Sequence, residues 1–209
     1  AIPPTNPLEQ IAEFLAATGR HHRYVMRRWR AHILEFEDSL FRTNSAVPLP
    51  LGSAVLEGEE PRFLTSLLLH VFFHARENPE RKLVVLGHSD PSGSNDYNLT
   101  LSEKRARAIH ALLTNQPKVY AKVCANWACM GVADYQDILR WIAQTFNWDC
   151  DPGETTGTHN KQTQQALMNF RELHNTVGPG ATWAGPIAKW GDATEKSSWE
   201  GYAHCCEDA

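Results

Sequence analysis

Asp90 and Arg105 are the two residues of this chain whose types and spacing best suit a shared piece of chemistry. An ionised carboxylate accepts hydrogen bonds from an ammonium, and a guanidinium offers a planar fork of donors that matches a carboxylate. Held at the edges of one loop, such a pair can bind the zwitterionic head of an amino acid. The residues around them read Gly87-His88-Ser89-Asp90-Pro91-Ser92-Gly93, then Tyr97-Asn98-Leu99-Thr100-Leu101-Ser102-Glu103-Lys104-Arg105-Ala106. The plainer use of the two charges is a salt bridge with each other, which at a surface contributes ~0–1 kcal/mol.

A strand, a loop and a helix must position that pair. Lys82 to Leu86 is short, apolar and β-branched, which predicts a buried strand, and Leu99 to Leu113 carries helical periodicity. Asp90 then lies in the loop at the end of the strand. Asn98 is expected as the N-cap, which sets Arg105 about two turns into the helix, leaning back toward the loop. Gly87 and Gly93 suit close backbone approach or a turn. Ser102 and Asn98 suit loop hydrogen bonds, Tyr97 a partly buried wall, and His88 a brace for the loop rather than a catalyst.

This order of residues resembles the peptidoglycan-binding domain of the OmpA-like family. Its signature runs strand, Gly-His-Thr-Asp, a glycine-containing loop, Asn, Leu-Ser and Arg-Ala, and only Ser89 departs from it, standing for Thr. The resemblance implies that Asp90 and Arg105 grip the amino and carboxylate groups of diaminopimelate in a peptidoglycan stem peptide. Ser89, Ser92 and Asn98 complete the expected ligand-binding set. Phe41-Arg42-Thr43-Asn44-Ser45-Ala46 is likewise similar to the entry of that domain, after a first strand expected over residues 33–41.

Composition narrows the function classes. A chain of 209 residues holds one large or two small domains, and its net charge of −4 argues against a nucleic-acid partner. Arg20, Arg23, Arg27, Arg28 and Arg30 fall on one face of an amphipathic helix and read as a solvated face. No stretch approaches the roughly twenty apolar residues that span a bilayer. Ala1-Ile2-Pro3-Pro4 lacks the pattern of a secretion signal, so the expectation is that such a signal has been removed, that the sequence starts inside a longer protein, or that another route exports it. Five cysteines, Cys124, Cys129, Cys150, Cys205 and Cys206, leave the redox compartment open, and an odd number leaves one thiol over unless it pairs between chains. These cysteines with His159, His174 and His204 show no paired zinc spacing; His70 and His74 stand at i and i+4, a spacing that can ligate zinc, but on an apolar helix without the intervening Glu they read as structural, and no metal or cofactor is expected.

Past the motif the pattern changes. Residues 63–78 read as an apolar core helix stopped by Pro79, with Pro61 suited to its first turn. After residue 115 the OmpA-like pattern would return quickly to strands, yet residues 116–147 look helical. Trp148-Asp149-Cys150-Asp151-Pro152-Gly153, Thr156-Gly157, Thr163, Ala166-Leu167 and Phe170-Arg171 are similar to the type 1 peptidoglycan-binding domain, a small three-helix module. Asn160 stands where that pattern has Gly and is expected to take a positive φ, with Thr163 as the N-cap of the next helix. Residues 176–198, rich in Gly, Pro and Trp, read as an ordered loop packed by its tryptophans, and residues 198–209 as a returning strand.

These readings combine into an α+β protein. The expected parts are an N-terminal helical segment (1–32), an OmpA-like βαβ sandwich domain (33–115), an inserted three-helix module (116–178), and a Trp-rich loop with a return to the sheet (179–209). The expected activity is non-catalytic binding of peptidoglycan in the periplasm of a Gram-negative-type envelope. The rivals are a scaffold or secretion-apparatus component that binds an envelope protein partner, and a component of a cell-wall hydrolase, for which no convincing catalytic set is visible.

Overall fold

The computed structural model describes residues 40–51, 64–89, 92–127, 131–177, 190 and 197–209. Among them lie six helices: α1 (Leu64–Glu77), α2 (Asn95–Leu113), α3 (Pro117–Trp127), α4 (Val132–Phe146), α5 (Lys161–Val177) and α6 (Ser198–Asp208). Between described residues, the β pairing present is an antiparallel bridge from Phe41 to Pro48, reinforced by Leu49 N–H donating to Leu40 O at 2.7 Å.

The expected α+β sandwich is therefore corrected: the described chain is helical and has no sheet. Lys82 to Leu86 takes no regular secondary structure and has no β partner among the described residues, and it is not buried, with Val84 73% and Leu86 83% exposed. A short apolar run announces an extended backbone, but a sheet also needs neighbours to take its N–H and C=O groups, and no described segment supplies them. The expected return strand is α6, because Ser197 caps a helix there and accepts from Glu200 N–H. Most of the expected first strand, residues 33–39, and the N-terminal segment 1–32 lie outside the described residues.

Local sequence explains the helix boundaries. Ser94, not Asn98, is the N-cap of α2, its side chain accepting from Tyr97 N–H at 3.3 Å, so the helix starts four residues before the expected Leu99. Asn115 takes φ +51° after α2, Gln116 N–H closes back on Ala111 O at 2.8 Å, and Pro117 opens α3, where its missing N–H leaves no lost bond. Asn160, not Thr163, caps α5: its Oδ1 accepts from Thr163 N–H at 2.8 Å, and it is not among the residues of positive φ. The left-handed positions between α4 and α5 are Asn147, Gly153 and Gly157.

One core joins these elements. Leu40, Leu49 and Leu64 meet Ile109 and Leu112 of α2, Tyr120 of α3, Ile138 and Ile142 of α4, Phe170 of α5 and Tyr202 of α6. The helical spacing read in residues 132–146 is the face that α4 buries. Trp190 is buried and stacks between Tyr135 and Phe170, with centroids 5.7 and 5.3 Å away; the rest of the expected tryptophan-packed loop from 178 to 196, Trp183 included, lies outside the described residues. The expectation that α1 is a core helix is corrected. It buries Leu64 and Val71 but exposes Leu69, Phe72 and Phe73. No helix among the described residues is long and apolar enough to cross a membrane.

Candidate functional site

Residues 87–89 and 92–94, which precede α2, are braced from behind by that helix. Gly87 passes so close to the helix that a Cβ on it would stand 1.7 Å from Ser102 O, so only glycine fits. Ser89 Oγ donates to Asn98 O at 3.1 Å. Ser102 Oγ lies 2.7 Å from the same carbonyl and 3.1 Å from Ser89 Oγ, and its single proton serves one of them at a time. Asn98 Nδ2 donates to Ser92 O at 2.9 Å, and Gly93 turns the chain at φ +96° into the Ser94 cap. Ser89, Ser92 and Asn98 are thus brought together, with Asn98 bracing the loop from inside the helix. Tyr97 and the His88 side chain are exposed, and the His88 contribution to the framework is its carbonyl.

Arg105 lies beneath this loop, only 8% exposed. Its Nε donates to Ser45 O at 3.1 Å, Nη1 to His88 O at 3.2 Å and Nη2 to Arg42 O at 3.4 Å, and the guanidinium covers the Phe41 ring at 4.9 Å. The guanidinium therefore ties the loop before α2 to the turn over residues 42–45. Asp90 and Pro91 lie outside the described residues.

That turn continues the network into α4. Asn44 holds φ +59° and Ser45 N–H donates to Arg42 O at 3.0 Å, which aims both carbonyls at Arg105. Ser45 Oγ donates to Asp134 Oδ2 at 3.1 Å. Arg42 Nε stands 3.1 Å from Asp134 Oδ1, close enough for an ion pair although neither atom finds hydrogen-bond geometry, and Arg42 Nη2 pairs with Asp137. Burial outweighs the Ser45 hydrogen bond and the Arg42 charge, so the Asp134 carboxyl is pushed up to about 6. Gln136, also buried, holds the loop before α5. Its Nε2 donates to Thr163 Oγ1 at 2.8 Å and Thr158 O at 3.2 Å, and its Oε1 accepts from Gly157 N–H at 2.9 Å and Thr156 N–H at 3.1 Å.

Ser94, Ser45, Arg42, Asp134 and Gln136 escaped sequence reasoning as positioning residues. For Ser94 a signal was present, a serine before a helical run; for Asp134 and Gln136 the only hint was a polar residue beside the apolar face of α4.

Residues 54–127, roughly a third of the chain, match the family model of the OmpA family. The match covers the whole Gly87-to-Ala106 motif and ends with α3. The match does not reach residues 128–178, which hold most of the segment expected as an inserted three-helix module. No curated protein and no solved structure matches the chain.

Proposed function

We propose that the chain is a non-catalytic cell-envelope anchor that binds peptidoglycan through the diaminopimelate of its stem peptides. The OmpA family match across a loop that α2 braces at four points is the observation that supports this most. Asp90 takes the ammonium of the ligand, and Arg105, fixed on three carbonyls, sets the positive centre that attracts its carboxylate. Backbone N–H groups near Ser92 take the remaining oxygens, with Ser89 and Asn98 holding the loop open. Hydrogen bonds to charged groups contribute ~1.5–3 kcal/mol each, so two or three of them, less ordering, give a Kd in the micromolar to millimolar range. Attachment to a polymer raises retention by multivalency. The site belongs in the periplasm of a Gram-negative-type envelope.

The test is retention on purified insoluble peptidoglycan at two salt concentrations, with thermal melts run in parallel to separate lost binding from lost folding. The wild-type chain is retained, Asp90→Ala is not, and Arg105→Lys weakens retention, since lysine cannot reproduce the planar fork. Absence of wild-type retention refutes the reading. A second reading, an envelope component that binds a protein, is favoured by the exposed Leu69, Phe72 and Phe73 on α1 with Val84 and Leu86 nearby in sequence. It gains if Phe72→Asp abolishes assembly with an envelope protein while peptidoglycan retention is absent in every variant.

A further inference from the structure

Two of the three carbonyls that Arg105 holds come from outside the stretch that matches the OmpA family, residues 54–127. Ser45 O at 3.1 Å and Arg42 O at 3.4 Å belong to the turn over residues 42–45, and His88 O at 3.2 Å belongs to the loop before α2. The side chains of both turn residues meet one carboxyl group, that of Asp134 on α4, which is fully buried. Ser45 Oγ, also fully buried, accepts from Val47 N–H at 3.1 Å, which leaves its single proton for Asp134 Oδ2, again at 3.1 Å. Arg42 Nε stands 3.1 Å from Asp134 Oδ1. The carboxyl group of α4 and the guanidinium of α2 thus grip the same two residues from opposite sides, one by their side chains and the other by their carbonyls.

We infer that Asp134 is a positioning residue of the loop site: through Arg42 and Ser45 it fixes the two carbonyls that seat the Arg105 guanidinium, and through Arg105 it reaches His88 O and the loop. What this does to a ligand rests on the proposed function; the seating of Arg105 does not. An ionised carboxylate takes a stronger hydrogen bond from Ser45 and attracts Arg42, and the neutral acid gives up most of both. The charged and titratable groups around Asp134 are Arg42 of the turn, Asp137 one turn along α4, which pairs with Arg42 and lies 3.8 Å from Arg140, and Cys124 of α3, within electrostatic reach. Burial pushes the Asp134 carboxyl up to about 6, so both of its states are accessible near neutral pH. Ionisation tightens the turn, and the affinity of the loop for its ligand rises as pH passes upward through that range.

The test follows the Nε–Hε signal of Arg105 by NMR in the full chain carrying isotopically labelled arginine, assigned by its loss in Arg105→Lys. In the wild type the signal shifts with pH, with its midpoint at about 6. Asp134→Asn keeps the size and still accepts from Ser45 but does not titrate, and the shift disappears. Ser45→Ala removes the hydrogen bond that favours the ionised form and moves the midpoint upward, which keeps the assignment testable even if Asp134→Asn does not fold. The His88 ring and Asp137 are present in all three proteins, so their effects cancel in the comparison. Half-saturation of purified insoluble peptidoglycan at pH 7 takes on the order of fivefold more Asp134→Asn than wild type, an ordinary size for coupling between two sites. A flat signal in the wild type, the same shift in Asp134→Asn or an unmoved midpoint in Ser45→Ala overturns the seating of Arg105 by Asp134, and equal half-saturation of wild type and Asp134→Asn overturns its service to the site. If the signal titrates as expected while the wild type is not retained at all, the seating of Arg105 stands and the proposed function falls.

Discussion

The loop before α2 and the loop before α5 are both held by a helix, but the means differ. The first is fixed by small residues at its surface: Gly87 fits where no side chain would, and Ser89, Ser102 and Asn98 pass hydrogen bonds across a half-exposed seam. The second is fixed from within by one buried side chain, Gln136, whose amide reaches Thr156, Gly157 and Thr158 in the loop and Thr163 in the first turn of α5. Small residues at a close approach leave a motif in the sequence, because each position tolerates few substitutes. A buried amide leaves almost none, since its partners are set by the fold. The first arrangement leaves the outer face of its loop exposed, and the second ties its loop down from within.

Breaking the first arrangement at its tightest point has the largest expected effect. Gly87→Ala places a methyl 1.7 Å from a helix carbonyl, and backbone on both sides must move. The expected loss is about 4 kcal/mol or more, read from urea unfolding, together with loss of peptidoglycan retention. A variant with unchanged midpoint would show that the approach is not a constraint. Gln136→Ala should come next. It leaves Thr163 Oγ1 and the N–H groups of Thr156 and Gly157 without their buried partner, at about 2–4 kcal/mol. Because its loop is remote from the α2 motif in sequence, the comparison sharpens if peptidoglycan retention survives in the fraction that remains folded.

The helices were legible where a 3.6-residue period ran over several turns, as in α4, whose Ile138, Leu139 and Ile142 are fully buried. The loop motif was legible from Gly87, read for close backbone approach, and from Ser102 and Asn98, read for loop hydrogen bonds. Strands were misread because Lys82 to Leu86 has strand composition without a described partner, and composition says nothing about partners. α6 was misread because Ser197 lies at the edge of a segment rich in glycine and tryptophan, where no period is visible. Arg105 was legible as a charge on the helix, but its bonds to the carbonyls of Arg42, Ser45 and His88 were not, because they depend on a turn some sixty residues earlier. The link from Arg42 to Asp134 and Asp137 was invisible for the same reason.

That link gives the smallest of the three effects and the one with a definite dependence on pH. Asp134 is wholly buried, and desolvation raises its carboxyl from 3.8 in the ordinary state to about 6 in the fold, against the pull of Ser45 and Arg42. Between those values the folded chain holds a proton that the unfolded chain has released, so stability falls as pH rises through the window and is level above it. The difference corresponds to about 2 kcal/mol, measured as the gap between urea unfolding free energies of the wild type at pH 4 and pH 7. Asp134→Asn keeps the size and can still accept from Ser45, but it cannot titrate, so its own gap should be smaller by that amount. Taking the difference between the two proteins removes other groups that titrate in the window, Glu207 among them, whose carboxyl is also raised by burial. If the wild type instead gains stability relative to the variant from pH 4 to pH 7, then the ion pair with Arg42 outweighs burial, and the turn over residues 42–45 is fastened to α4 by charge rather than by a shared proton.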